Sequence, residues 1–518
     1  EYAHAHWRCR AWLTGFTGSA GTAVVLKDAA GLWTDGRYFI QAEQELAGSG
    51  VDLFKDRMAG VPAMIDWTLA SVPEGGSVGV DGRLVSCARA KEWERKLAKK
   101  SIKLVLEFDL ISPIWEARPP LPKAPASLWP VEFAGRSAAD KLAEIRAAME
   151  EKGADAYFMS SLYDIAWLFN IRGDDTPRCP ILTAHALVEA ERATLFTDEE
   201  KISNEIRAAL ETEGVSIAPY ETISNALKSL PATGSLYLCP ERVSAGARRD
   251  VACEVIEGKD LTDLPKARKN AVELANWRTV HEIDGVAMVR FWKWFEENAP
   301  GGGVDELAAA ERLERFRRSD PECVDLSFNS ISAYGANAAM THYAPSPENN
   351  AVLKPNGLYL IDSGGQYLGG TTDITRVFAL GDPTDEQRAD YTLTLKGVIG
   401  LSSAIFLKGA AGNNLDVLAR RPLWERGLDY NHGTGHGVGC YLNVHEGPHN
   451  LSQAKWSATP FEPGMVVTIE PGVYKEGRHG IRIENMVVVE EERETEFGVF
   501  YRFGTLTLCP IDVAPLEL

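Results

Sequence analysis

Apolar residues along this chain come in short runs separated by longer charged segments, a rhythm of alternating strands and helices rather than of a coiled coil or a membrane span. Strand-like runs at 22–26 and 235–238, together with charged, helix-like segments at 90–99 and 138–152, predict an α/β organisation for the first half. At 273–298 the apolar residues Val280, Ile283, Val286, Val289 and Phe291 recur at roughly helical spacing and predict a long helix. Beyond it the pattern turns to strands, at 358–362, 371–378, 465–470 and 481–489. Alternation in the last run puts Arg482, Glu484 and Met486 on one face. Prolines between 113 and 130 interrupt any helix or central strand and read as a linker, and a second boundary falls near 265–269. The predicted division is 1–118, 126–265 and 266–518.

The first two segments repeat each other. Ala11-Trp12-Leu13 with Phe16 and Gly18 answers Ala166-Trp167-Leu168 with Ile171 and Gly173. Leu32-Trp33-Thr34-Asp35 answers Leu195-Phe196-Thr197-Asp198, and Gly76-Ser77 with Val85-Ser86 answers Gly234-Ser235 with Val243-Ser244. Matches in a common order at nearly constant offset point to a duplication.

Composition narrows the functional classes. A chain of 518 residues exceeds one hydrophobic core. Its formal net charge of −19 argues against a nucleic-acid partner, and no apolar run is long enough to predict a membrane span. Eight cysteines lie scattered without a CxxC pair, which favours reduced thiols and a cytoplasmic location.

The chemistry concentrates between Asp362 and Glu484. Asp362, Asp373, His436, Glu470 and Glu484 occupy glycine-punctuated, strand-like runs where apolar residues would normally stand. A carboxylate there costs several kcal/mol unless it is paired or bound to metal. Taken singly, each aspartate beside glycine would cap a turn, and Glu484 would pair with Arg482 on an exposed edge. Taken together, four carboxylates and one imidazole form a hard, oxygen-rich ligand set for two divalent ions, manganese first, with cobalt or zinc as alternatives. The glycine loop 431–439 carries His432 and His436 but no Walker lysine, so it reads as a place of close backbone approach rather than a phosphate cradle. His342, His432 and His445, near the ligands in sequence, are candidates for binding substrate or moving protons, and His449 stands close by.

These residues resemble the pita-bread metallopeptidases and, within them, the three-domain aminopeptidase P type. The resemblance extends to Gly15-Phe16-Thr17-Gly18-Ser19 and Trp33-Thr34-Asp35-Gly36-Arg37 in the first segment and to 164–173 in the second. It implies two related α/β domains, the first without its opening strand, followed by a catalytic domain. By resemblance, Asp362 and Asp373 bind one ion, Asp373 and Glu484 bridge both, and His436 with Glu470 completes the other. It further implies that His342, His432, His445 and Arg482 bind substrate, with the three histidines and Glu470 taking part in catalysis. The implied reaction releases the first residue from peptides with proline second, through a hydroxide shared by two ions with Glu470 as general acid and base. A homodimer is implied too. Prolidase, a metal-free creatinase-like member and a non-enzymatic peptide-binding module are the alternatives.

Overall fold

A computed structural model describes residues 3–455 and 457–517, and the chain separates into two compact units, 1–263 and 264–518.

The duplication is visible in the first unit. Thr22–Val25 and Ala30–Thr34 form an antiparallel hairpin that continues in parallel to Val51–Lys55. Ala184–Glu189, Ala193–Thr197 and Val215–Pro219 repeat that arrangement. Ser77–Gly79 then pairs in parallel with Lys103–Val105, as Ser235–Leu238 does with Glu254–Glu257. In the second copy Ala156–Met159 lies between these parts and joins them into a six-stranded sheet, whereas among the described residues the first copy keeps two separate sheets. The two copies meet at equivalent positions. Ser86 and Ser244 each cap the helix that follows, and the chains cross there with Cys87 N–H donating to Val243 O (2.9 Å) and Ala245 N–H donating to Val85 O (2.8 Å).

The first long helix of the second unit is Ala271–Asn298, started by a capping box in which Asn270 accepts from Val272 and Glu273 while the Glu273 carboxylate accepts from Asn270 N–H. Its buried stripe differs from the predicted one. Trp277, Val280, Asp284, Met288, Phe291 and Phe295 face inward, while Val286 and Val289 are 50% and 47% exposed. Polar Asp284 takes a core position because Arg317 answers it: Arg317 Nε donates to Asp284 Oδ1 (2.7 Å) and Tyr367 OH donates to the same oxygen (2.8 Å).

Behind this helix lies an antiparallel sheet of Ile331–Tyr334, Leu358–Ser363 and Ile374–Ala379. Its central strand is buried on both faces. Tyr359 and Ile361 pack on Phe291, Phe295 and Leu313 of the helices Ala271–Asn298 and Glu306–Arg318. Leu358 and Leu360 point the other way, into a core shared with Val467, Ile469, Ile481 and Val487. Those residues belong to a six-stranded sheet, ordered Ile405–Leu407, Gly498–Thr505, Asn485–Thr495, Val466–Ile469, Gly435–Gly437 and Glu446–Leu451, and to the hairpin Gly472–Lys475 with His479–Arg482. Period-two alternation therefore sends Asp362 toward the same shared core as Leu358 and Leu360.

The run 481–489, expected to be one strand, is two. His479–Arg482 pairs with Gly472–Lys475, and Asn485–Thr495 pairs with Val466–Ile469 and Gly498–Thr505. The break falls at Ile483 and Glu484, where Glu484 N–H donates to Thr375 O (3.2 Å), outside either ladder.

Candidate metal centre

Asp362 and Asp373 meet because the turn between them folds back on itself. Gly365–Tyr367 and Gly370–Thr371 make a small side hairpin, and the chain returns in a ladder that sets Asp362 opposite Thr375 and Ser363 opposite Ile374. Asp373 is left just before the returning strand. Glu484 joins them from the break in its own run, held by Thr375 Oγ1, which donates to Glu484 Oε2 (2.8 Å).

His436 lies in the three-residue strand Gly435–Gly437, pressed against Val466–Ile469. A Cβ on Gly435 would sit 1.8 Å from Thr468 O, so glycine is required for the two backbones to approach. His436 Nδ1–H donates to Gly437 O (3.0 Å), which leaves Nε2 as the free lone pair. That nitrogen is 3.4 Å from Asp373 Oδ2 and 3.5 Å from Glu470 Oε1. Asp373, His436 and Glu484 each offer a ligand atom, and these atoms lie within 4.8 Å of one another. Thr468 Oγ1 accepts from His436 N–H (3.1 Å) and donates to Glu470 Oε1 (3.4 Å), tying the imidazole and the last carboxylate to one strand.

So many acids in one buried place repel each other. Burial, followed by the charges of Asp362 and Glu470, holds Asp373 well above the usual carboxylate range. Burial and then Asp373 do the same to Glu484. Burial and Glu484 push Glu470 up to about 7. Asp362 Oδ1 is buried with no hydrogen-bond partner. Repelling carboxylates, a lone-pair nitrogen aimed among them and an orphaned buried oxygen are what a cation site presents, and the hard donor set fits two divalent ions.

Arg482 supplies fixed positive charge at one edge. Its Nε and Nη2 donate to Asp362 Oδ2 (3.1 and 2.6 Å), so it serves Asp362 rather than Glu484. Its Nη1 donates to Tyr474 OH (2.8 Å), and the tyrosine hydroxyl donates in turn to His432 Nε2 (2.9 Å). His432 Nδ1–H in turn donates to Gly433 O (2.7 Å). Both ring nitrogens are thus engaged, and burial, reinforced by Arg482, lowers the His432 pKa to about 3. His432 is a fixed neutral imidazole. Tyr474 is the functional residue that sequence reading missed: it sits in an ordinary strand pattern, and only its phenol, between Arg482 and His432, gives it a role.

His445 stands edge-on to His436 with ring centroids 4.0 Å apart. Its loop is gripped on several sides. Asn443 Nδ2 donates to His445 O (2.6 Å), Gln366 Nε2 donates to Leu442 O (2.6 Å), and Glu446 is ion-paired with buried Lys269 and, at 3.6 Å, with Lys266. Arg420 and His342 add smaller charge contributions that also lower the His432 pKa. His449 is a structural residue: it is buried, with Nε2 2.8 Å from Val466 O.

Comparison with known proteins meets this geometry. Residues 9–110 and 117–273 match the Creatinase/Prolidase N-terminal domain, and 275–491 match Metallopeptidase family M24. A probable Xaa-Pro aminopeptidase P of Neurospora crassa is 41% identical over 97% of this chain and 76% of its own length. The chain belongs to the aminopeptidase P family. Aminopeptidase P2 of Arabidopsis thaliana is 38% identical over 98% of the chain and 77% of the relative. The structure of X-prolyl aminopeptidase from Caenorhabditis elegans, described as a cytosolic enzyme with a di-nuclear active site, superposes with a TM-score of 0.95 at 34% identity, covering 100% of this chain and 86% of that one. The prolidase of Pyrococcus horikoshii, at 22% identity and a TM-score of 0.57 over 72% of this chain and 99% of its own, shares the fold. The expected architecture therefore holds for this aminopeptidase P family member: two creatinase-type α/β domains followed by a pita-bread metallopeptidase domain.

Proposed function

We propose that this chain is a dinuclear metallopeptidase that releases the N-terminal residue from peptides with proline in second position. The observation that carries the reading is the convergence of Asp373, His436 and Glu484 within 4.8 Å in a chain of this family. Asp362 and Asp373 would hold one ion, Asp373 and Glu484 would bridge, and His436 with Glu470 would complete the second position. Manganese is the proposed metal, because four carboxylates favour a hard ion. Two such ions supply Lewis acidity that lowers the pKa of a shared water and polarises the scissile carbonyl.

The remaining steps belong to the protein's own groups. Glu470 takes the proton of the attacking water and delivers it to the departing proline nitrogen. His445 and His342 donate to the oxygen that gains charge at the tetrahedral stage. His432, neutral and held by Tyr474 and Gly433, acts by lining the substrate site rather than by moving protons, a narrower role than the sequence suggested. Arg482 holds Asp362 in place through two hydrogen bonds to one carboxylate oxygen. A proline leaving group has an imide nitrogen without hydrogen, so recognition falls to ring shape and the surrounding imidazoles. The three-domain division at 1–118, 126–265 and 266–518, a cytoplasmic location and a homodimer complete the proposal.

The test is hydrolysis of an Xaa-Pro peptide series after chelation, with manganese added back. Cleavage of the first bond should vanish on chelation and return with metal, and Glu470→Gln should bind peptide without turnover. Cleavage that ignores chelation, or full activity in Glu470→Gln, refutes the reading.

A further inference from the structure

The helix Glu306–Arg318 begins with a carboxylate that the helix itself does not use. Its cap is Asp305, whose side chain accepts from Ala308 N–H (2.7 Å). Glu306 is fully buried and turns away to collect donors from elsewhere. Its Oε1 accepts from Tyr334 N–H (2.6 Å) and Asn337 Nδ2 (3.0 Å). Its Oε2 accepts from Tyr343 OH (2.7 Å), Ala351 N–H (2.8 Å) and Asn337 Nδ2 (3.1 Å). One carboxylate thereby gathers the start, the middle and the end of the segment 334–351, whose regular structure after the strand end at Tyr334 is confined to the short turn Gly335–Ala339. That segment carries His342, next to Tyr343 in the chain.

The same residue ties the segment to the metal-bearing strand. Glu306 N–H donates to Ala351 O (3.1 Å), and Ser332 Oγ donates to Glu306 O (2.6 Å). Ser332 lies opposite Ile361 in the ladder that sets Ile331 opposite Asp362. The position of His342 is therefore referenced, through Glu306, to the strand that presents Asp362. A glutamine could not replace the carboxylate fully, because its amide group would face an N–H where an oxygen is needed.

We propose that Glu306 is a positioning residue for the peptidase reaction, fixing the segment that carries His342 through Tyr343 and the amides of Tyr334 and Ala351. This rests on the reading of His342 as a substrate-facing group. The test is a kinetic cycle on the full chain with wild type, His342→Ala, Glu306→Gln and the double variant, assayed on an Xaa-Pro peptide, with metal content measured in each. Each single change should lower kcat/KM by about tenfold or more, the double variant should match His342→Ala within about twofold, and metal content should stay at the wild-type level. Tyr343→Phe, which removes only a hydroxyl, should show a smaller loss that also disappears in the His342→Ala background, and it carries the test if Glu306→Gln does not fold. Wild-type kcat/KM in Glu306→Gln, full multiplication of the two single losses, or loss of metal would each overturn the positioning role. Undiminished activity in His342→Ala would instead remove the substrate role of His342, and the proposal with it. A wild-type chain that leaves Xaa-Pro peptides uncut would fail the peptidase reading itself.

Discussion

Metal loading of this protein should release protons, and the number follows from the site. Glu470 moves from an ordinary 4.5 to about 7, while Asp373 and Glu484 are both held well above the usual range, Asp373 by burial and the charges of Asp362 and Glu470, Glu484 by burial and the charge of Asp373. Between pH 8 and pH 6 the ionised fraction of Glu470 falls from about nine-tenths to about one-tenth, which alone weakens metal binding about tenfold. Asp373 and Glu484 titrate against each other and add to the slope together, so loading at pH 6 should release between about one and three protons. Metal-free protein carries the complementary signature. A carboxyl whose folded pKa is raised stabilises the fold below its unfolded pKa, and that contribution is lost as pH rises through the folded value, here from about 4.5 to about 7. For Glu470 the shift corresponds to about 3 kcal/mol, or about 6–12 °C in Tm for a unit of this size. Titration calorimetry with Mn2+ in two buffers of different ionisation enthalpy counts the protons, and scanning calorimetry of chelated protein at pH 5 and pH 8 reads the stability. Glu470→Gln should release about one proton fewer. Metal uptake at pH 6 without proton release, or a chelated protein as stable at pH 8 as at pH 5, would refute the account of these carboxylates.

Two further predictions test how the site is held. Arg317→Met strands buried Asp284 without its cation and should cost about 3–5 kcal/mol in chemical denaturation, whereas combining it with Asp284→Leu should recover much of that loss; equal losses in the single and double variants would contradict the pairing. Gly435→Ala places a Cβ 1.8 Å from Thr468 O, so the strand bearing His436 must shift, and metal content measured by elemental analysis should fall in folded protein; normal loading would show that the close approach is not needed.

The residues of the candidate metal centre stood out in the sequence because their chemistry contradicts their surroundings. A carboxylate in an apolar run stands out, and Asp362, Asp373, Glu470 and Glu484 do so without any knowledge of the fold. Residues whose meaning depends on a distant partner were silent. Tyr474 is a common strand residue until Arg482 and His432 meet at its hydroxyl. Glu306 looks like an ordinary acid in the first turn of a helix. Asp284 and Arg317 look like surface charges, and only packing shows that they share the core. Val286 and Val289 misled in the opposite sense, since helical spacing cannot say which of two neighbouring stripes will be covered. The break at Glu484 was hidden because a four-residue strand and an eleven-residue strand joined by two residues keep the alternation of one long strand.

The exchange at Ser86 and Ser244 makes the two copies depend on each other. Each copy closes the other's turn through the same two amides, as identical subunits do about a twofold axis. Because each copy supplies one amide and accepts with one carbonyl, a change on either side of that seam disturbs both.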